Sequence, residues 1–166
     1  METYTVNYPI AFHTVDMAII RETNGVLELA LIKKHKDTED KFRFPGGFVD
    51  PSDASAEESA SRETGEEMNI SVSPAGFEYV GSAKINDPRY KDSPHKIISS
   101  FYMAEVPAGS EIKAGDDAAY VGWFNLAGNI DIHTIHSGLL TLLRNRLTAR
   151  MVGSEILTDY YNKQRS

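Results

Sequence analysis

Gly46-Gly47-Phe48-Val49, followed by Arg62-Glu63-Thr64-Gly65-Glu66-Glu67-Met68-Asn69-Ile70, decides how the rest of this chain is read. Ser55 is a favourable N-cap, and Glu58 three residues on completes a capping box, so a helix is expected over about residues 56–68. On it, Glu63, Glu66 and Glu67 stand at i, i+3 and i+4, on one face. Three carboxylates so close repel one another, and an ordinary solvated surface does not need them. A hard divalent cation such as Mg²⁺ or Mn²⁺ does, because it takes oxygen ligands, typically a few carboxylates completed by substrate phosphates. The Gly46-Gly47 turn adds backbone carbonyls that suit the same ion.

Outward from this segment the chain alternates strands and loops. Residues 11–20 form an apolar run that reads as a strand, and residues 26–32 are its expected partner. Asn24-Gly25 between them is the strongest short hairpin signal. A polar loop over 33–41 leads to a short strand over 42–49, interrupted by Pro45-Gly46-Gly47. Further strands are expected over 77–85, 97–106 and 120–125. Ile135, Leu139, Leu142 and Leu143 mark a helix over about 132–151, and a last short helix is expected over 154–161. His133 and His136 share a face of that helix without a third ligand, so they read as a polar patch at its start.

At 166 residues one domain is expected, with a core over about 10–150 and a short C-terminal helical extension. There is no cysteine, which excludes disulfides, thiolate catalysis and cysteine-based metal centres. The N-terminus lacks a signal-peptide pattern and no apolar run reaches membrane-spanning length, so a cytoplasmic protein is expected. The formal charge of −7 argues against a general nucleic-acid binder. An acidic protein that handles a phosphate ester needs local positive charge, which a bound metal supplies.

The segment resembles the Nudix box of the MutT-like pyrophosphohydrolases, G-x5-E-x7-R-E-U-x-E-E-x-G-U, with U bulky and apolar. Gly47, Arg62, Glu63, Glu66, Glu67 and Ile70 match it in register. Asp53 stands at the first acidic position, with eight residues rather than seven before Arg62. Thr64 replaces an apolar residue, which should weaken packing against the sheet. Asn69 replaces the helix-ending Gly, and Asn is the non-Gly residue that best tolerates a left-handed backbone. Segments outside the box, including Phe44-Pro45-Gly46-Gly47, Asp87-Pro88-Arg89 and Ala114-Gly115-Asp116-Asp117, resemble the branch that contains ADP-ribose pyrophosphatases.

The resemblance implies an α/β fold, an α/β/α sandwich with a mixed sheet. It also implies metal-dependent hydrolysis of a nucleoside diphosphate derivative, with ADP-ribose first among the candidates. Glu63, Glu66, Glu67 and a carbonyl of Gly46 or Gly47 are the implied metal ligands. Arg62, flanked by Glu58 and Glu66 on the helix, is expected to orient a ligand carboxylate. The general base is Glu67 itself or an acid on a separate loop, Asp116 or Asp117. Arg43 and Arg89 are the candidate phosphate contacts, and Trp123 is expected in the core. The partner is a small-molecule nucleotide, the resemblance allows a homodimer, and the competing functions are hydrolysis of another nucleotide (a dinucleoside polyphosphate or NADH) and an ADP-ribose sensor that does not cleave. The complete acidic cluster argues for the hydrolase.

Overall fold

Asn24 and Gly25 take left-handed φ angles of 52° and 78°, the geometry a two-residue hairpin turn requires. They fold β1 (Ala11–Thr23) onto β2 (Val26–Lys34), with Thr23 opposite Val26. The computed structural model describes residues 7–164 apart from Pro9, Thr38 and Asp116, with side chains as far as Glu155. β1 runs parallel to β5 (Lys96–Glu105) along most of its length. On its other edge it pairs with β2 only over residues 20–23, and with β3 (Gly46–Phe48) over residues 14–16. β4 (Glu78–Ile85) borders β5 and β6 (Ala118–Asn125) borders β2, giving the order β4-β5-β1-β2-β6. Because β3 takes the place of β2 beside the first half of β1, a cleft opens where the two partners part.

α1 (Ala56–Met68) covers one face of this mixed sheet and α2 (Ser137–Gln164) the other. Val15, Met17 and Ile19 pack with Ala60 and Met68 of α1. Ala18 and Ile20 pack with Leu139, Leu140 and Leu143 of α2. A strand covered on both faces reads as a continuous apolar run rather than an alternating one, and residues 15–20 are buried throughout. Asp16 is the single exception to their apolar character. The α/β class and the mixed sheet between helices are as the sequence implied. No helix among the described residues is long and apolar enough to cross a membrane.

The last helix differs from expectation at both ends. Ile132 pairs with Phe42, and Thr134–His136 forms a separate 3₁₀ turn, so α2 starts only at Ser137. It then continues to Gln164 without the anticipated break, since a lone Gly153 costs a helix only about 1 kcal/mol and no proline follows.

α1 keeps its expected bounds. Glu58 N–H donates to Ser55 Oγ at 3.1 Å, while the Glu58 carboxylate accepts from Ala54 N–H at 2.8 Å, one residue earlier than a standard capping box. Asn69 closes the helix with φ 53° and ψ 34°. Its side chain also donates to the Lys113 carbonyl at 3.0 Å, a tie that the glycine it replaces could not make. Lys113 and Gly115 N–H cap the carbonyls of Met68 and Glu67 at 3.0 and 3.1 Å, so the β5–β6 loop is sewn to the end of α1.

Thr64 is fully buried and its hydroxyl has no partner among the described residues. An unpaired buried hydroxyl costs about 1–3 kcal/mol. Thr64→Val keeps the shape and removes that group, so stability is expected to rise by about 1 kcal/mol, read as a melting temperature about 2–4 °C higher.

Candidate active site

Gly46 lies opposite Asp16 in the β1–β3 ladder, so close that a side chain would overlap the Val15 carbonyl oxygen. Its N–H donates to Glu67 Oε2 at 2.8 Å. At Gly47 an added methyl would run into the Glu63 carboxylate. Both glycines therefore answer a close approach, Gly46 to the backbone of β1 and Gly47 to the Glu63 carboxylate of α1.

Arg62 cross-links this region. One guanidinium nitrogen donates to Glu63 Oε1 at 2.8 Å and to Glu66 Oε2 at 3.1 Å. The other donates to Asp53 at 3.0 Å and to the Phe48 carbonyl at 3.2 Å. Glu58, expected to flank it, is engaged at Ala54 instead, and Asp53 is the acid that Arg62 meets. Arg62, with Ser59 Oγ at 2.6 Å, holds the Asp53 carboxyl below its usual range. Asp53 in turn raises the pKa of Arg62, so this cation stays charged.

Burial pushes the pKa of Glu63 and Glu67 up, and the cations beside them, Arg62 and Lys34, oppose the shift. Glu67 is buried, and its Oε1 takes an ion pair from Lys34 Nζ at 2.8 Å. Lys34 looks from the sequence like surface charge after a strand, but from the last position of β2 its ammonium reaches Glu67.

These groups line a cavity of about 610 Å³ between β1, β3, α1, the Thr134–His136 turn and the loop after β4. Seven acids (Asp16, Asp50, Glu63, Glu66, Glu67, Asp87, Asp117) face four bases (Lys34, Arg43, Arg62, Arg89) across it. Asp117 is exposed on its wall, and its side chain has no hydrogen bond among the described residues. Asp116, the other candidate base, lies outside the described residues.

Arg43 and Arg89 both reach the cavity, but neither is a free anion receptor. Arg43 is fastened to Asp37 by two hydrogen bonds, one of 2.8 Å, and holds that carboxyl below its usual range. Arg89 pairs with Asp87 at 2.6 Å. Burial alone would raise the Asp87 pKa, and the hydrogen bonds from Arg89 more than offset it. Trp123 is half-buried against the α1-side core with the Arg21 guanidinium 4.1 Å above its ring, so it borders the core rather than filling it.

The histidines are not a polar patch on a helix. His133 and His136 are buried, and His136 lines the cavity, accepting from Phe44 N–H at 3.0 Å. With Asp16 it is the site residue that the sequence reading missed, although a lone Asp inside the apolar run of β1 was a visible signal. Burial pushes the Asp16 pKa up to about 6 from 3.8. The fold thus favours the protonated acid: the stabilising contribution is whole below pH 3.8 and lost as pH rises through about 6. Asp16→Asn removes the penalty on the charged form. It is expected to stabilise the protein by about 2 kcal/mol at about pH 8 and hardly at all at about pH 4, measured by urea denaturation at the two values.

Among the described residues no three acidic or imidazole side chains converge on one point, because Arg62 and Lys34 hold the glutamates. The donor chemistry nevertheless fits a hard divalent ion: oxygen ligands only, in a cavity where acids outnumber bases.

A NUDIX domain model matches residues 12–143, and the chain belongs to that family. An ADP-ribose pyrophosphatase of Methanocaldococcus jannaschii is 35% identical over 109 residues, 65% of this chain. The match spans 59% of that relative's length. Among solved structures, a MutT/nudix family protein from Enterococcus faecalis superposes with a TM-score of 0.74 at 25% identity, over 89% of this chain and 66% of that one. The NUDIX domain of Shewanella oneidensis NrtR, solved as a cocrystal with ADP ribose, gives a TM-score of 0.69 over 84% of this chain and 90% of its own; at 20% identity the likeness concerns the fold.

Proposed function

We propose that this protein is a Mg²⁺- or Mn²⁺-dependent hydrolase that splits the pyrophosphate of a nucleoside diphosphate derivative, with ADP-ribose giving AMP and ribose 5-phosphate. The observation that carries this reading is the charge of the cavity, seven acids against four bases. A bare pyrophosphate would be repelled there, so its binding calls for added cations. Membership of the NUDIX family supports the reaction class. The name of the Methanocaldococcus jannaschii relative supports ADP-ribose as substrate.

Glu63, Glu66, Glu67 and the Gly47 carbonyl would hold the metal. When bound, it neutralises charge on the phosphate oxygens and lowers the pKa of the attacking water. Arg62 keeps Glu63 and Glu66 oriented, and Gly46 N–H does the same for Glu67. Asp117 is the acid whose side chain is free to take the water's proton. Arg89, 69% exposed in its pair with Asp87, exchanges that carboxylate for a phosphate, while Arg43 stays on Asp37 and contributes its field.

The test is product analysis by chromatography with Mg²⁺ and a panel of ADP-ribose, NADH, diadenosine polyphosphates and nucleoside triphosphates. AMP should form fastest from ADP-ribose and stop with EDTA. A silent panel, with ADP-ribose still raising the melting temperature, would identify a sensor instead.

A further inference from the structure

The cavity floor holds a polar group that the acidic helix does not account for. Asp16 on β1, Ser99 on β5 and His136 on the 3₁₀ turn meet there from distant parts of the chain. Ser99 Oγ donates to Asp16 Oδ2 at 2.5 Å. Phe44 N–H donates to His136 Nδ1 at 3.0 Å, so Nδ1 carries no proton and Nε2 does. Burial pushes the imidazole pKa down to about 3, which keeps the ring neutral with that one N–H. Nε2 lies 3.6 Å from Asp16 Oδ1, too far for a good hydrogen bond.

One acceptor and one donor are thus left over, side by side. Neither Asp16 Oδ1 nor His136 Nε2 has a hydrogen bond among the described residues, and their side chains are only 9% and 7% exposed. Both residues line the cavity and neither atom is among the sealed, unpaired ones, so water or a ligand meets them from it. An anion is disfavoured by the Asp16 carboxylate, and a cation by the His136 N–H. Hydroxyl groups satisfy both atoms, since each can donate and accept. The position narrows the ligand further. Gly46 separates the pair from Glu67: its N–H holds the Glu67 carboxylate, and a methyl on its Cα would come 2.8 Å from Asp16 Oδ1. A group seated here beside the proposed metal ligands is the one joined to the phosphates, a sugar and not a base.

We propose that Asp16 and His136 form a subsite for the cis-diol of a ribose, one hydroxyl donating to Asp16 Oδ1 and its neighbour accepting from His136 Nε2–H. Ser99 fixes the carboxylate and the Phe44 N–H fixes the imidazole tautomer. The subsite rests on the reading of the cavity as a nucleoside diphosphate site. It selects ribose over polyphosphates or sugars that lack the diol, because a missing hydroxyl leaves a buried partner unpaired.

The experiment compares wild type and Asp16→Asn on three compounds: ADP-ribose, its analogue with a hydroxyl-free tetrahydrofuran ring in place of the distal ribose, and its analogue built on 2′,3′-dideoxyadenosine. In Asp16→Asn the Ser99 hydroxyl holds the amide oxygen, so the amide nitrogen faces the cavity; the hydroxyl that donated to the carboxylate must turn to accept, and its charge-assisted hydrogen bond is lost. Wild type is expected to lose about 30-fold in kcat/KM on one analogue, which identifies the ribose that is bound. Asp16→Asn is expected to lose about as much on ADP-ribose, mainly through KM, yet to stay within about 3-fold of wild type on that analogue. Ser99→Ala, which keeps the carboxylate but loosens it, should show the same pattern at a smaller size and checks it in a second variant.

Equal turnover of all three compounds by wild type would overturn the subsite, leaving the pair to hold water only. An equal loss on all three in the variants would overturn it too, since Asp16 would then act through the fold. Melting-temperature shifts with the same compounds and Ca²⁺ in place of Mg²⁺ repeat the comparison without turnover. A protein that hydrolyses none of them yet shifts more with one diol-bearing ligand overturns the hydrolase reading and keeps the subsite. Equal shifts with all three overturn the subsite alone.

Discussion

Glu67→Gln is expected to lower kcat on ADP-ribose by at least about 10²-fold, while the melting temperature does not fall. The activity loss follows from removing a carboxylate that the proposed metal needs. The stability outcome follows from the surroundings of Glu67. Burial raises its pKa above the ordinary 4.5, so the folded state penalises the charged form despite Lys34 and the Gly46 N–H. The glutamine oxygen still accepts from Gly46, and Lys34, already 29% exposed, turns to solvent. A structural acid would show the opposite signature, a lower melting temperature with turnover little changed. Steady-state kinetics with Mg²⁺ and calorimetry on one preparation separate the two. Turnover within about 3-fold of wild type would remove Glu67 from the ligand set. Adding Glu66→Gln takes away a second carboxylate and is expected to deepen the loss.

What the sequence made legible was local. Ser55 and Glu58 set the start of α1, Asn69 its end, and Asn24-Gly25 the first hairpin, because each acts on its own backbone within a few residues. The glutamate spacing was legible for the same reason, since one helix carries all three. The unread features are those whose partners lie far along the chain. Asp16 meets Ser99 across 83 positions, and Phe44 meets His136 across 92. Arg43 and Arg89 were found as cavity residues, but their carboxylate partners come from loop geometry that periodicity does not encode. The long C-terminal helix was expected in two pieces, but the single Gly153 between them costs too little propensity to break it.

Gly46→Ala and Gly47→Ala are expected to fail in different ways, although the residues are adjacent and each is so closely approached that a methyl would overlap its neighbour. At Gly46 the methyl meets the Val15 carbonyl oxygen and the Asp16 Cα, backbone atoms of the central strand. That strand is locked on its other edge by ten paired positions with β5 and cannot retreat. β3 must therefore detach, which also releases the N–H that holds Glu67. The expected loss is about 3–5 kcal/mol, read as a melting temperature lower by roughly 10 °C, with activity falling alongside. At Gly47 the methyl meets only the Glu63 carboxylate, the far end of a flexible side chain. Glu63 can rotate away at little cost in stability, but it then leaves the position in which Arg62 holds it. Gly47→Ala is thus expected to melt within about 2 °C of wild type while kcat drops by roughly 10–10²-fold. Thermal melts and kinetics on the two variants check this contrast. If Gly47→Ala keeps full turnover, the Glu63 carboxylate is not needed where the structure puts it; if Gly46→Ala melts like wild type, β3 is not anchored to β1 as the ladder requires.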